Sequence, residues 1–204
     1  MTFTIWLSLF FISLLGAMSP GPSLAIVIKH SLSGGRTNGV FTGWAHAFGI
    51  ALYAFMTIIG LVVALTHSPL LYKVISYAGA IYLAYLGFNA LRVKGGVNEK
   101  LQTGKPVSVW ASARDGFLIS MLNPKIGLFF IALFSQFAVL DNQFSSKVII
   151  VATPFLVDGL WYTFIAFIVS SHKWLAYLRE HAVIIDRLSG IILIALAIRV
   201  LMMV

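Results

Sequence analysis

Cysteine is absent from this chain of 204 residues. Its absence excludes a disulfide framework, a thiolate metal site and a cysteine nucleophile. Charge is scarce as well: Asp, Glu, Lys and Arg make up only 10% of the residues, against about 25% in an average soluble domain. Hydrophobic residues make up 60% of the chain, and its mean hydropathy is +0.97. So few charges cannot cover the surface of a water-soluble protein, and the composition predicts a membrane protein whose outer face contacts lipid.

Long hydrophobic runs fill most of the chain. A helix needs about 20 mostly apolar residues to cross a bilayer. Six windows meet this condition, at residues 3–28, 40–65, 69–91, 116–140, 148–170 and 188–204. The sequence therefore predicts an all-α membrane protein with six transmembrane helices in a single domain, residues 1–204.

The longest connection, residues 92–114, contains a Gly95-Gly96 pair and is predicted to be a flexible loop. It separates two halves, residues 1–91 and 115–204, with three predicted helices each. Because three is an odd number, two related halves must cross the membrane in opposite directions. The prediction is an inverted repeat, an architecture found in many secondary transporters.

The basic residues indicate how the helices are oriented. The net charge is +8, and Lys and Arg are concentrated in the first, third and fifth connections. The second and fourth connections carry only Lys73 and Lys147. Since basic connections stay on the cytoplasmic side, we expect the 92–114 loop in the cytoplasm and both termini outside the cell inner membrane. Six membrane spans also exclude a nucleic-acid partner for this charge.

Two proline motifs interrupt predicted transmembrane helices. Ser19-Pro20-Gly21-Pro22 falls within the first helix, and Asn123-Pro124-Lys125 falls within the fourth, which is the first helix of the second half. Proline removes an amide donor and clashes with the preceding turn. Breaks at corresponding places in two halves indicate a transporter's binding site. A role of the prolines in packing alone is the alternative.

Four ionisable side chains lie deep in the predicted helices: His46, Lys125, Asp158 and Arg199. Such groups are costly in lipid, so each is a candidate functional residue. Counting from the cytoplasmic end of each helix, at about 1.5 Å per residue, places all four near the middle of the bilayer. A structural ion pair of Asp158 with Lys125 or Arg199 is the alternative. Arg199 can also reach outward to the membrane surface, and His46 can be a packing residue.

Asp158 has two aromatic neighbours on its own helix. Trp161 and Tyr162 follow it at the i+3 and i+4 positions, so the three side chains share one face. A carboxylate beside aromatic rings suits a cation such as the ammonium group of a substrate.

Together these motifs resemble the LysE/RhtB family of amino-acid exporters, and the likeness runs through nearly the whole chain in order. Its most specific part is the combination of Ser19-Pro20-Gly21-Pro22 with Leu122-Asn123-Pro124-Lys125 in a six-helix chain. The remaining elements are Gly35-Arg36, Gly49, Gly60-Leu61, Phe129-Phe130, Gln136-Phe137, Asp158 with Trp161, and Gly190 with Arg199.

The resemblance implies export of amino acids or close derivatives in exchange for protons, so that the expected partners are an amino acid, protons and the lipid bilayer. Two positions depart from the family pattern. Many members carry an acidic residue directly after the second-helix glycine, where this chain has Ile50, and His46 can compensate. Members also often have proline before the Gln-Phe pair, where Ser135 stands here.

The working hypothesis is alternating access between two halves, with a site formed by the broken segments Pro20-Gly21-Pro22 and Asn123-Pro124-Lys125. Freed amides and Lys125 would hold the substrate carboxylate, while Asp158 with Trp161 and Tyr162 would hold the ammonium. Asp158 or His46 would carry the coupling proton, since desolvation favours the neutral form of a carboxylate.

Three alternatives to amino-acid export stay open: a metal-ion exporter, an exporter of another small solute, and an intramembrane enzyme. The chain has no His-Glu-x-x-His motif, and one deep Asp with one deep His is a poor ligand set for a divalent cation. We therefore expect no metal site, no cofactor and no enzymatic activity. The amino acid exported and the oligomeric state, including a homo-oligomer, are left open.

Overall fold

A computed structural model describes residues 1–19, 21–92, 107–135, 143–169 and 172–203 of the chain. Throughout these ranges the regular secondary structure is α-helical, as predicted. The helices are α1 (Phe3–Met18), α2 (Pro22–His67), α3 (Pro69–Arg92), α4 (Val109–Leu122), α5 (Pro124–Ser135), α6 (Phe144–Val169) and α7 (His172–Met203).

Length and hydropathy identify the membrane-spanning candidates among the described helices. Three helices qualify: Pro22–Ala64 within α2, Pro69–Arg92 and Phe144–Val169. Helices α4 and α5 qualify together as a fourth candidate, a pair bent by 57°. Helix α1 is apolar but has only 16 residues. The described helices thus include three candidate spans, or four with the bent pair, where six windows were predicted.

The sixth predicted window, residues 188–204, lies inside the longer helix α7. This helix has 32 residues and begins at His172, so the predicted fifth connection, which contains Lys173 and Arg179, is helical. Lys and Arg favour helices nearly as strongly as Leu does. A run of charged residues therefore marks the end of an apolar segment without marking the end of a helix.

The first predicted connection is helical as well. Helix α2 runs for 46 residues from Pro22 to His67, with non-helical backbone angles at Gly35 alone, where φ is 84°. Only glycine adopts this left-handed conformation without steric cost. The chain therefore passes from the first predicted helix to the second through one glycine corner, in place of a loop.

Both predicted breaks interrupt helices in the structure. Helix α1 ends at Met18, and α2 begins at Pro22 after Gly21; Pro20 lies outside the described residues. Proline suits this first position of α2. A backbone N–H group there would have no hydrogen-bond partner within the helix, so its absence in proline costs nothing. At the second break, the Asn123 side chain accepts a hydrogen bond of 3.0 Å from the backbone N–H of Lys125.

Tyr53 of α2 stabilises the second break from outside. Its hydroxyl donates a 2.8 Å hydrogen bond to the backbone carbonyl of Met121, in the last turn of α4. The amide of Lys125, four residues later, is bonded to Asn123. Backbone groups released by a break within a membrane need such a partner, because lipid offers none.

Helix α2 packs closely between α4 and α6 because it carries glycine at the contacts. A Cβ on Gly43 would lie 2.7 Å from Cβ of Tyr162 in α6, and one on Gly49 would lie 1.8 Å from Oγ of Ser120 in α4. From the other side, a Cβ on Gly116 of α4 would lie 2.2 Å from the carbonyl oxygen of Thr42. Small residues at these positions let the helix backbones approach, as in other membrane bundles.

Polar side chains also connect α2 to α4. Asn38 donates hydrogen bonds of 2.8 Å from Nδ2 to Oγ of Ser112 and to the carbonyl of Val107. On the other side of the corner, five residues before Gly35, the Nε2 atom of His30 lies 3.2 Å from Oδ2 of Asp115. Both segments of α2, residues 22–34 and 36–67, are thereby attached to the same helix.

Candidate functional site

A cavity of about 70 Å³ lies where both breaks meet the helices α1, α2, α5, α6 and α7. It exceeds the roughly 10–15 Å³ that a single water molecule needs. The first break contributes Ser19, Gly21 and Pro22 to its wall, and the second contributes Asn123 and Lys125. The structure therefore brings the two predicted broken segments together around one space.

Lys125 and Ser19 join the two breaks across this cavity. Nζ of Lys125 donates a 2.7 Å hydrogen bond to Oγ of Ser19. A Cβ on Gly21 would lie 4.0 Å from the same Nζ atom, so the cationic group lies directly beside the start of α2. This arrangement places a positive charge and the N-terminal end of a helix at one wall, and both attract anions.

A histidine and an aspartate occupy another wall of the cavity. Nδ1 of His46 in α2 and Oδ2 of Asp158 in α6 are 2.7 Å apart, and the two residues are only 1% and 5% exposed. The sequence had left Lys125 and Arg199 open as structural partners of Asp158. The structure pairs Asp158 with His46, and Arg199 is exposed on the outer side of α7.

Tyr162 completes this wall. Its ring stands edge-on to the ring of His46, with centroids 5.1 Å apart, and its side chain is 1% exposed. Its hydroxyl lies 3.4 Å from the carbonyl of Ala17, in the last turn of α1. Tyr162 therefore connects the histidine to the end of the helix that precedes the first break.

Trp161 is directed elsewhere. It lines a groove between α1 and α6 on the outer side of the bundle, together with Trp6 and Phe164. The sequence placed Trp161 beside Asp158 because both follow the same helical repeat. Three residues advance a helix by about 300°, which leaves Trp161 about 60° to one side of Asp158 and Tyr162 about 40° to the other.

Three buried polar atoms on the cavity wall have no hydrogen-bond partner within the described part of the chain. They are Oγ of Ser13, Nε2 of His46 and Oγ of Ser189, from α1, α2 and α7. A buried polar group without a partner costs about 1–3 kcal/mol. A polar ligand in the cavity can pair with such atoms, which makes the cavity suitable for a hydrophilic solute.

Sequence reasoning did not identify Ser13 and Ser189. Serine is common in membrane helices, where its hydroxyl usually bonds to the carbonyl four residues earlier in the same helix. Ser31 does so here, with its Oγ atom 2.7 Å from the carbonyl of Val27. No sequence pattern separates a serine of this kind from one that faces a cavity.

The remaining wall of the cavity is apolar. It includes Ile12, Ile50, Phe129, Phe130 and Leu193. Ile50, one of the two positions where the sequence departs from the family pattern it resembles, contributes hydrocarbon surface. The cavity therefore combines groups of both charges with room lined by aliphatic and aromatic side chains.

Among the described residues, no group of three His, Asp or Glu side chains lies close enough to hold a metal ion.

The predicted motif residues Gln136-Phe137 lie outside the described residues, as does most of the 92–114 loop.

Comparison with known proteins decides the family. The model of the LysE type translocator family matches residues 14–204. The chain belongs to the LysE type translocator family. This confirms the resemblance drawn from the two proline motifs, and it makes this LysE-type chain a membrane translocator with apolar spanning helices.

Two relatives of this LysE-type chain illustrate the range of similarity. The uncharacterized membrane protein YrhP of Bacillus subtilis is 28% identical over 190 residues, which is 88% of this chain and 90% of the relative. The leucine efflux protein of Salmonella typhimurium is 30% identical over 118 residues, which is 58% of this chain and 56% of the relative. No solved structure matches the chain.

Proposed function

We propose that this LysE-type protein is a secondary transporter that exports amino acids with apolar side chains from the cytoplasm, in exchange for protons. One observation carries the proposal: a single cavity holds a cation, Lys125, and a buried acid, Asp158, among apolar walls. A zwitterion with a hydrocarbon side chain complements all three features. The leucine efflux relative supports the choice of substrate.

The substrate carboxylate binds at the wall formed by the two breaks. Lys125 offers a positive charge, and its hydrogen bond to Ser19 can be exchanged for one to the carboxylate. The first turn of α2 after Gly21 adds backbone amides and the positive end of the helix dipole.

The substrate ammonium binds at the opposite charge, near Asp158 and His46. The ring of Tyr162 is in contact with His46 there, and an aromatic ring favours a neighbouring cation. The side chain of the substrate then extends along the apolar wall that includes Ile50 and Phe129.

The inverted repeat is part of the proposal, and two contacts support it. Helices at corresponding places in the two halves pack together, α2 with α6 and α3 with α7. Within the second pair, a Cβ on Gly87 would lie 2.7 Å from the carbonyl oxygen of Gly190, and a Cβ on Gly190 would lie 2.7 Å from that of Gly87. Such reciprocal contacts are what a two-fold relation produces. Alternating access then moves one half against the other around the cavity.

Replacing Lys125 tests the site. Lys125→Met keeps the length of the side chain and removes its charge, so we expect saturable efflux of radiolabelled leucine to fall by about tenfold or more, because a charged hydrogen bond is lost. The measurement uses purified protein in proteoliposomes, with equal amounts of each variant. Lys73→Met, at an exposed position of α3, is the matched control and is expected to transport normally. Normal leucine efflux by Lys125→Met would refute the proposed site.

A further inference from the structure

We propose that the substrate ammonium and the coupling proton compete for one atom, Nε2 of His46, and that Asp158 positions the imidazole ring for this exchange. The inference rests on the proposed function and specifies how the same site couples substrate to protons. It transfers the exchange from the carboxylate, where the sequence had suggested it, to the histidine.

The hydrogen bond between His46 and Asp158 determines the state of the ring. Its two atoms, Nδ1 and Oδ2, are 2.7 Å apart. In the proposed substrate-binding state Asp158 is ionised. Because an ionised carboxylate only accepts hydrogen bonds, Nδ1 then carries the hydrogen and donates it to Asp158. In the neutral ring, Nε2 then has a lone pair and no hydrogen.

Nε2 is a buried polar atom of a side chain that lines the cavity. His46 is 1% exposed and lines the cavity, and Nε2 has no hydrogen-bond partner among the described residues. The carboxylate, by contrast, already accepts a short bond through Oδ2. Nε2 of His46 is therefore an acceptor of this pair that no described residue uses.

One lone pair cannot serve two hydrogens. In the neutral ring, Nε2 accepts a hydrogen bond from the substrate ammonium. Once Nε2 binds a proton, the ring becomes a donor with a positive charge, and it repels the ammonium. Proton binding therefore releases the amino acid, and release of the proton restores its binding site.

The surrounding charges allow this exchange. Among the residues that the structure describes, the titratable side chains around His46 are Asp158 and Tyr162 of α6 and Lys125 of α5, which lines the same cavity. Asp158 stabilises the imidazolium ion, while Lys125 is bonded to Ser19 at the wall where the carboxylate binds. In each cycle a neutral zwitterion leaves and one proton enters, so one positive charge moves inward.

The first test separates proton coupling from substrate transport. Gln at position 46 can still accept a hydrogen bond but cannot take up a proton at neutral pH. We expect His46→Gln to exchange internal for external leucine in proteoliposomes more slowly than the wild type, because the residue contacts the substrate, while an imposed pH gradient no longer accelerates its net transport at all. The matched control His67→Gln, at the exposed end of α2, is expected to respond to the gradient like the wild type.

Each outcome decides a different claim. If His46→Gln still couples leucine to the pH gradient, the competition at Nε2 is refuted while the proposed function stands. If the wild type shows leucine transport that never responds to a pH gradient, proton antiport itself fails, and the inference fails with it.

The second test uses the unaltered protein, so it does not depend on whether a buried substitution folds. N-methylleucine keeps N–H donors, whereas N,N,N-trimethylleucine keeps the positive charge and has none. We expect N-methylleucine to inhibit leucine transport and the trimethyl compound to inhibit about tenfold more weakly or worse, because it cannot bond to Nε2. Equal inhibition by the two compounds would show that charge alone is recognised, and would overturn the inference.

Discussion

At the scale of single residues, glycine controls how closely the two walls of the site approach. Gly43 lies three residues before His46 in α2, and it touches Tyr162 of α6. The close contact between these helices brings the imidazole of His46 within hydrogen-bond distance of Asp158. The geometry of the site thus depends on a residue that contributes no chemistry of its own.

Gly43→Ala is expected to destabilise the protein and to weaken transport. The added Cβ would lie 2.7 Å from Cβ of Tyr162, and forced separation of packed helices costs about 1–3 kcal/mol. The checks are the melting temperature in detergent and leucine efflux at equal protein amounts. Gly60→Ala is the control, because its Cβ would meet no described atom within 4 Å, and alanine there stabilises the helix by about 0.5–1 kcal/mol. Equal melting temperatures for the two variants would contradict this account.

At the scale of helices, the breaks require stabilisation from neighbouring elements. Helix α4 ends at Leu122, directly before Asn123 and Pro124, and the carbonyl of Met121 is bonded to Tyr53 of α2. The second break is therefore held in shape by a helix of the first half. This bond gives α2 a second function besides carrying His46.

Tyr53→Phe removes only the hydroxyl group and leaves the Met121 carbonyl without this donor. We expect a loss of stability of about 1–3 kcal/mol, since a backbone carbonyl without a donor is costly within a membrane, together with lower affinity for leucine because Lys125 lies just beyond the break. Thermal unfolding and the apparent KM for leucine measure the two effects. Tyr77→Phe, at an exposed position of α3, serves as the control. An unchanged melting temperature in Tyr53→Phe would show that the bond does not stabilise the break.

The sequence predicted the features that depend on an unusual residue type within an apolar run. Proline within an apolar run identified both breaks, and ionisable residues within such runs identified Lys125, His46 and Asp158. It did not predict the helical corner at Gly35, because a glycine beside charged residues is equally typical of a loop.

Tertiary contacts account for the rest of what the sequence could not predict. The pairing of His46 with Asp158 joins residues of two different helices, and no periodicity within one helix can indicate it. The outward direction of Trp161 depends on how α6 is rotated against α1 and α2. Ser13 and Ser189 gain their importance only from the cavity that they face.

At the scale of the whole molecule, orientation in the membrane is the main expectation that awaits a test. The basic connections predict that the 92–114 loop lies in the cytoplasm and that both termini lie outside. The turn at Ser68, between α2 and α3, falls on the outer side in the same arrangement. Two halves related as an inverted repeat must each cross the membrane an odd number of times, and three predicted crossings in each half meet this condition.

Reporter fusions test this topology. We expect green fluorescent protein fused after Arg92 to fluoresce, because it remains in the cytoplasm. Alkaline phosphatase fused after Ser68 or at the C-terminus is expected to be active, because it is exported. A fluorescent C-terminal fusion would contradict either the number of crossings or their direction.

The placement of Lys125, His46 and the apolar wall around Ile50 has a consequence for stereochemistry. Under the proposed binding mode, these three places hold the carboxylate, the ammonium and the side chain of the same substrate. Those three groups surround one Cα atom, and their order around it is reversed in the mirror image. A D-amino acid can satisfy any two of the three places but not all of them together. Under that binding mode the cavity distinguishes the two enantiomers of a substrate without a residue dedicated to that task.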